Sequence, residues 1–192
     1  MHPQRHLVPG LNDQDDALMA QAAACDRNAF RLLVERYQDR PYRLAWRMLG
    51  DQAEAEDVAQ EAFLRLWAKA ETWESVRGGV PGWLVRVATN MCLDKLRRRR
   101  FTSDAEVPET EDDAPLADAQ IISAERASNA AAAVAQLPDR QRAAIVLTYY
   151  EELPNAEAAT VLDMNVKAFE SLLLRARTAL RASLGHLKGE AL

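Results

Sequence analysis

Four arginines stand in one run, Arg97 to Arg100, at the end of a segment that reads as a helix. Adjacent guanidinium groups repel one another and call for an anion, and nucleic-acid phosphate is the commonest polyanion that fits. A helix C-terminus favours one or two cations through its dipole, but that does not explain four in a row. A second set of candidates is acidic. Glu54, Asp57 and Glu61 line one side of a helical segment, as in metal-carboxylate bundles. Such bundles add Glu-x-x-His on partner helices, and the histidines here, His2, His6 and His186, lie near the termini. No metal and no cofactor is therefore expected. Cys25 and Cys92 have no CxxC pairing and no nearby histidine, and they read as buried thiols in a reducing cytosol. The chain does not read as an enzyme.

The carboxylates belong to one element, a helix expected from about Ala53 to Ala70. Ala55, Val58, Ala59, Ala62, Phe63, Leu66 and Trp67 form an unbroken i, i+3, i+4 stripe that should bury against neighbouring helices. The opposite face carries Asp57, Gln60, Glu61 and Leu64. A leucine among carboxylates is either a stray exposed side chain or part of a docking face. The composition agrees with helices throughout. Ala, Leu, Glu and Arg dominate, Gly and Pro are sparse, and a hydrophobic share of 48% is enough for a core. The net charge of −5 argues weakly against a protein that simply coats DNA, but basic and acidic blocks are segregated along the chain.

An all-α protein of two small domains follows, 13–100 and 119–185, joined by an acidic flexible linker over 101–118. That linker carries Asp104, Glu106, Glu109, Glu111, Asp112, Asp113 and Asp118, with Pro108 and Pro115 and no Lys or Arg. Residues 1–12 read as a loose tail without an apolar signal core. A first helix runs to Ala24. A second, capped by Asp26 or Asn28, should break near Asp39-Arg40 ahead of Pro41 and stop at Gly50. Ser75 to Gly82 is expected as a flexible loop, with a helix from Trp83 to Arg100 after it. Leu84, Val87, Ala88, Met91, Cys92 and Leu96 form its buried face.

In the second domain Ile121, Ile122, Ala130, Ala133, Val134 and Leu137 mark a helix ended by Pro138. Another spans Ala143 to Tyr150. Then come a short helix, Ala156 to Leu162, a turn at Asp163-Met164-Asn165, and a long helix striped by Val166, Phe169, Leu173, Ala176, Leu180 and Leu184. A short helix, a tight turn and a longer basic helix have the form of a helix-turn-helix. Its second helix exposes Lys167, Glu170, Ser171, Arg175, Thr178 and Arg181. N-terminal residues of such a helix reach base edges, and later arginines take phosphates. No apolar run is long enough to span a membrane, and the protein is expected in the cytoplasm.

Taken in order, these motifs resemble a bacterial sigma factor of the extracytoplasmic-function type. The likeness rests on Asp57-Val58-x-Gln60-Glu61-x-Phe63-Leu64-x-Leu66-Trp67, then Trp83-Leu84-Val85-Arg86-Val87-Ala88-Thr89-Asn90 with Leu93-Asp94 and Arg97-Arg98. It continues through Leu137-Pro138-x-x-Gln141-Arg142 to Leu174-Arg175-Ala176-Arg177-x-x-Leu180-Arg181, and spans about Ala29 to Leu184. The resemblance implies that Asp57, Gln60, Glu61 and Leu64 grip the clamp coiled coil of core RNA polymerase. It implies that Trp83, Arg86, Asn90, Lys95, Arg97 and Arg98 capture the minus-ten promoter element as single strand. Asn can pair with a base edge and basic side chains hold phosphates; Trp83 is either a stacking platform or a core side chain. It implies further that Lys167, Glu170, Ser171, Arg175 and Arg177 read the minus-thirty-five element, that the acidic linker threads the polymerase channels, and that an anti-sigma factor is a partner.

The sequence departs from that pattern at Asp163, where the turn commonly has Gly, and at Glu170 and Leu172, where basic residues are common. Glu170 would repel phosphate unless it accepts from a cytosine amino group. Two other functions remain open: a sigma mimic that only sequesters an anti-sigma factor, and a stand-alone helix-turn-helix repressor. The first has little need for Arg97 to Arg100, and no dimerisation helix supports the second.

Overall fold

The computed structural model describes residues 11–74, 78–102 and 130–189. Every regular element among them is helical. In chain order they are α1 (Leu11–Ala23), α2 (Arg27–Tyr37), α3 (Asp39–Leu49), α4 (Gln52–Lys69) and α5 (Gly79–Thr102). Then follow α6, described over 130–135, α7 (Asp139–Ile145), α8 (Asn155–Val161) and α9 (Val166–Gly189). Residues 1–10 of the expected tail, most of the expected linker, and Ile121 and Ile122 lie outside the described residues, while Leu11 and Asn12, expected in the tail, open α1. Phe101 and Thr102, expected in the linker, are the last residues of α5.

Local chemistry sets these boundaries. Asp26 caps α2 by accepting from Asn28 N at 2.8 Å, and Asp51 caps α4 by accepting from Glu54 N at 2.8 Å. The expected break falls at Gln38, one residue earlier than the sequence suggested. Pro41 is then the third residue of α3, where a missing N–H costs no hydrogen bond. Gly50 ends α3 in the left-handed conformation, φ 68°, with its N–H on Trp46 O. Helix α5 begins at Gly79 rather than Trp83. Gly82 N donates to Gly78 O at 2.9 Å and closes the first turn, and Pro81 sits in that turn with its φ already set. Gly79 has φ 59°, a backbone conformation that residues with a Cβ rarely adopt, and it packs against the Asn12 side chain.

Two apolar clusters form the interior. One joins Met19 of α1, Leu33 of α2, Phe63 and Leu66 of α4, and Val80 and Leu84 of α5. The other joins Leu44 and Met48 of α3, Val58 of α4, and Val85, Ala88, Cys92 and Leu96 of α5 to Ile145, Val146, Leu147, Phe169 and Leu173 of the C-terminal half. The two halves thus share a core. Helix α5 is buried on two sides, which is why Val85, absent from the expected stripe, is fully buried. Full burial of each such leucine or valine stabilises the fold by roughly 1.5–3 kcal/mol.

The C-terminal half also departs from simple periodicity. Helix α7 passes into a π-helical turn, Val146–Tyr150, closed by Glu151 N on Val146 O at 3.1 Å. Val166 and Leu184, expected on the buried stripe of α9, are exposed, whereas Leu172 is buried. A helix of 24 residues outreaches the seven-residue α7 and α8 that cover it, so its ends lie bare.

Candidate functional site

Helix α4 presents its polar face as expected, but its four candidate residues do different things. Leu64 is 64% exposed. With Gln60 it lines an open groove of about 860 Å³ between α2, α3 and α4. Phe30, Val34, Tyr42, Phe63 and Trp67 also line the groove. The Phe30 and Trp67 rings meet edge to face at 4.9 Å between centroids, which fixes one wall. The sequence assigned Ala59 and Trp67 to the core, yet both are half-buried and face this groove. The signal was there in the width of the stripe, which exceeds what one neighbouring helix can cover. Asp57 and Glu61 are not among its lining residues, and its acidic lining is Asp39 and Glu56. Glu61 accepts from Arg65 Nε at 2.8 Å, and Asp57 stands 3.9 Å from Lys95 Nζ of α5. Glu54 is ion-paired with Arg99 at 2.9 Å. Glu54, Asp57 and Glu61 therefore each have a cationic partner from the protein.

Helix α5 divides its candidates between two sides. At 3.6 residues per turn Arg86, Asn90 and Arg97 share one face, and Lys95 falls opposite. Lys95 accordingly turns to α4, and Arg86 turns toward the C-terminal half. Arg86 Nη2 donates to Asp163 Oδ1 at 2.9 Å. Arg97 is held by Asp94 of its own helix at 3.0 Å. Trp83 is half-buried, its ring 6.2 Å from that of Trp73, whose Nε1 donates to Asp16 at 2.8 Å. The packing gives it a core role with one edge accessible. The arginine run does not present four unmatched charges. Arg99 donates to Leu49 O at 3.2 Å besides pairing with Glu54, and Arg100 pairs with Asp139 of α7. Protein acceptors thus satisfy much of what the sequence assigned to phosphate.

Helices α8 and α9 meet at the expected turn. Asp163 has φ 50°, a conformation that glycine takes more easily and that aspartate tolerates. Arg140 Nη2 donates to Leu162 O at 2.7 Å and ties the turn to α7. Asn165 caps α9 by accepting from Ala168 N at 2.8 Å. Lys167, Ser171, Arg175 and Thr178 are exposed along one face, with Glu170 at its edge. Arg177 is drawn aside: its Nε donates to the Tyr149 hydroxyl at 2.6 Å and its guanidinium lies 5.5 Å from that ring. Leu174, 63% exposed in the middle of the polar face, was missed as a candidate because a leucine in a helix reads as core.

Comparison with known proteins places both halves. Residues 33–102 match Sigma-70 region 2, and residues 128–180 match Sigma-70 region 4. The chain is 35% identical over 173 residues to the ECF RNA polymerase sigma factor SigW of Bacillus subtilis (strain 168), covering 84% of this chain and 92% of that one. The chain belongs to the ECF RNA polymerase sigma factors. It is 34% identical to SigL of Mycobacterium tuberculosis (strain ATCC 25618 / H37Rv), over 89% of this chain and 97% of the relative. Its fold is similar to that of CnrH, solved in complex with the cytosolic domain of CnrY, with TM-score 0.63 and 27% identity over 90% of this chain and 98% of that one. As an ECF sigma factor the protein is a transcription regulator that serves initiation, with DNA-binding helix-turn-helix architecture in its second half. Among the described residues no helix is long and apolar enough to cross a membrane.

Proposed function

We propose that this ECF sigma factor docks on core RNA polymerase through the groove flanked by Gln60 and Leu64, together with Asp57 and Glu61 of the same helix. One observation carries the reading. Leu64 is an exposed leucine at an open, aromatic-lined groove, and its neighbours on the same helix are charged. A helical partner with an apolar ridge and basic flanks fits that combination. The promoter roles follow. Trp83, Arg86, Asn90, Lys95, Arg97 and Arg98 hold the minus-ten element, and residues 13–100 act as the unit that melts it. Lys167, Glu170, Ser171 and Arg175 read the minus-thirty-five element from the 119–185 unit. Arg177 takes a phosphate, and Leu174 supplies an apolar contact of the kind a thymine methyl accepts. The factor works in the cytoplasm, performs no catalysis of its own, and has an anti-sigma factor as its inhibitory partner.

The test is in-vitro transcription with purified core polymerase on a fragmented genomic library, with and without the protein. New, discrete start sites that share two upstream elements are expected. If active core enzyme yields no new starts, the sequestering or repressor functions replace this one.

A further inference from the structure

The end of α7 is tied to the middle of α9 by a side-chain bond that the promoter roles above leave unused. Arg177 Nε donates to the Tyr149 hydroxyl at 2.6 Å, between residues 28 positions apart. Tyr149 reaches α9 from within the π-helical turn Val146–Tyr150. Such a turn takes one residue more than an α-helical one, so side chains along it leave the directions a continuous helix would give them. Turns of this kind are rare and recur at functional sites. Here Val146 and Leu147 stay buried while Tyr149 is 53% exposed. Ile145, Leu180 and Arg181 complete an open cavity of about 470 Å³ around the pair.

The bond matters for what it leaves free. A guanidinium carries its donors at Nε and at both Nη atoms in one rigid plane, whose edge matches a phosphate. Donating through Nε fixes that plane and leaves the Nη atoms for another acceptor. The phenol that holds it is uncharged. Arg86 and Arg99 of α5 are held instead by carboxylates, Asp163 and Glu54, which offset their charge. The direction of Arg177 also fits. It lies roughly 100° round α9 from the line of Lys167, Ser171 and Thr178, at about 100° per residue. Side chains on that line face base edges when such a helix lies in the major groove. A side chain a quarter-turn away faces the groove wall, which is sugar-phosphate backbone.

We propose that Tyr149 is a positioning residue for promoter binding. Its hydroxyl holds the Arg177 guanidinium with the Nη atoms directed at a backbone phosphate beside the minus-thirty-five element. The side-chain freedom that a phosphate contact removes is then already removed in the free protein. The proposal rests on the reading of α9 given above.

The test uses the full chain as wild type, Tyr149→Phe, Arg177→Lys, Arg177→Ala and Tyr149→Phe/Arg177→Ala, each shown to be folded by thermal unfolding. The first readout is the Nε–H resonance of Arg177 in the free chain, assigned by its loss in Arg177→Lys. It should exchange slowly with water in wild type and fast in Tyr149→Phe. The second readout uses holoenzyme assembled with core polymerase. Its affinity for a promoter fragment taken from the start-site mapping is measured over a range of potassium concentrations. Tyr149→Phe should weaken binding about 3-fold with an unchanged salt slope, because the phosphate contact is kept but is no longer pre-ordered. Arg177→Lys keeps the charge and loses Nε–H, so it should match Tyr149→Phe. Arg177→Ala should weaken binding further and flatten the slope by about 0.9, the loss of one phosphate contact. On that background Tyr149→Phe should add nothing. An Arg177 Nε–H that exchanges equally in wild type and Tyr149→Phe overturns the positioning. Equal promoter affinities, or a Tyr149→Phe effect that persists in full without Arg177, overturn its part in promoter binding. A wild type that yields no start sites strikes the functional reading and the promoter role with it; the exchange readout needs no DNA and still decides whether Tyr149 orders Arg177.

Discussion

Asp15 is fully buried, paired with Arg36 and accepting from the Tyr37 hydroxyl at 2.6 Å. Tyr37→Phe removes one of those partners and leaves a carboxylate oxygen unmatched in the interior. We expect a loss of about 1–3 kcal/mol in urea denaturation. Burial, then the Asp15 hydrogen bond and charge, push the Tyr37 hydroxyl from 10.0 up to about 12. Burial pushes the Cys92 thiol from 9.0 up to about 12. Both folded values exceed the unfolded ones, so both groups favour the folded state in their neutral form. That stability is complete below about pH 9 and is lost as pH rises through 12. A thermal midpoint that holds steady to pH 9 and falls between pH 9 and 12 is the expected profile. Cys25 was expected to be buried, and it is exposed, at φ 65°, just past the end of α1. At Glu170, Glu170→Lys should alter promoter preference more than polymerase affinity, and a promoter library read with both proteins decides it. The partners of Asp15 lie 21 and 22 positions away, and nothing in an aspartate on an amphipathic helix announces them. The sequence instead treats such a residue as solvated.

At the scale of the helix, Phe63 and Leu64 are adjacent in sequence and opposite in consequence. Phe63 is buried in the first apolar cluster, and Phe63→Ala should cost about 3–5 kcal/mol of stability. Leu64 touches solvent, so Leu64→Lys should leave the unfolding midpoint almost unchanged and weaken core-polymerase binding by roughly 10-fold or more. Denaturation and a binding titration on both variants separate the two effects. Helix α4 was legible from its regular apolar period alone: 53–70 was expected and Gln52–Lys69 is found, one residue earlier at each end, with the Asp51 cap that sets its start not part of that reading. Helix α5 was read less well at its start. Gly78, Gly79, Pro81 and Gly82 have the composition of a loop, and only the hydrogen bond from Gly82 to Gly78 shows that the last four already turn as a helix. Periodicity also hid the groove. It tells which side chains want an apolar surface, but not which of them the fold leaves without one.

For the molecule as a whole, the family and the order of its parts could be read from motifs, while the seam between the halves could not. Its ion pairs join residues 39, 77 and 111 positions apart, and each partner taken alone is an ordinary surface charge. Four arginines in a row pointed to an outside anion because the protein's own carboxylates were out of view. Arg40–Glu151, Arg86–Asp163 and Arg100–Asp139 join the halves across that seam, and added salt screens them, whereas the apolar core beneath them is not screened. The unfolding midpoint should therefore fall modestly as potassium rises from a low concentration and then level off. In Glu151→Lys it should start lower and change less with salt. Identical salt profiles for the two proteins would contradict this. The joint between the halves is thus part oil and part salt, and only the second part feels the ionic state of the solution.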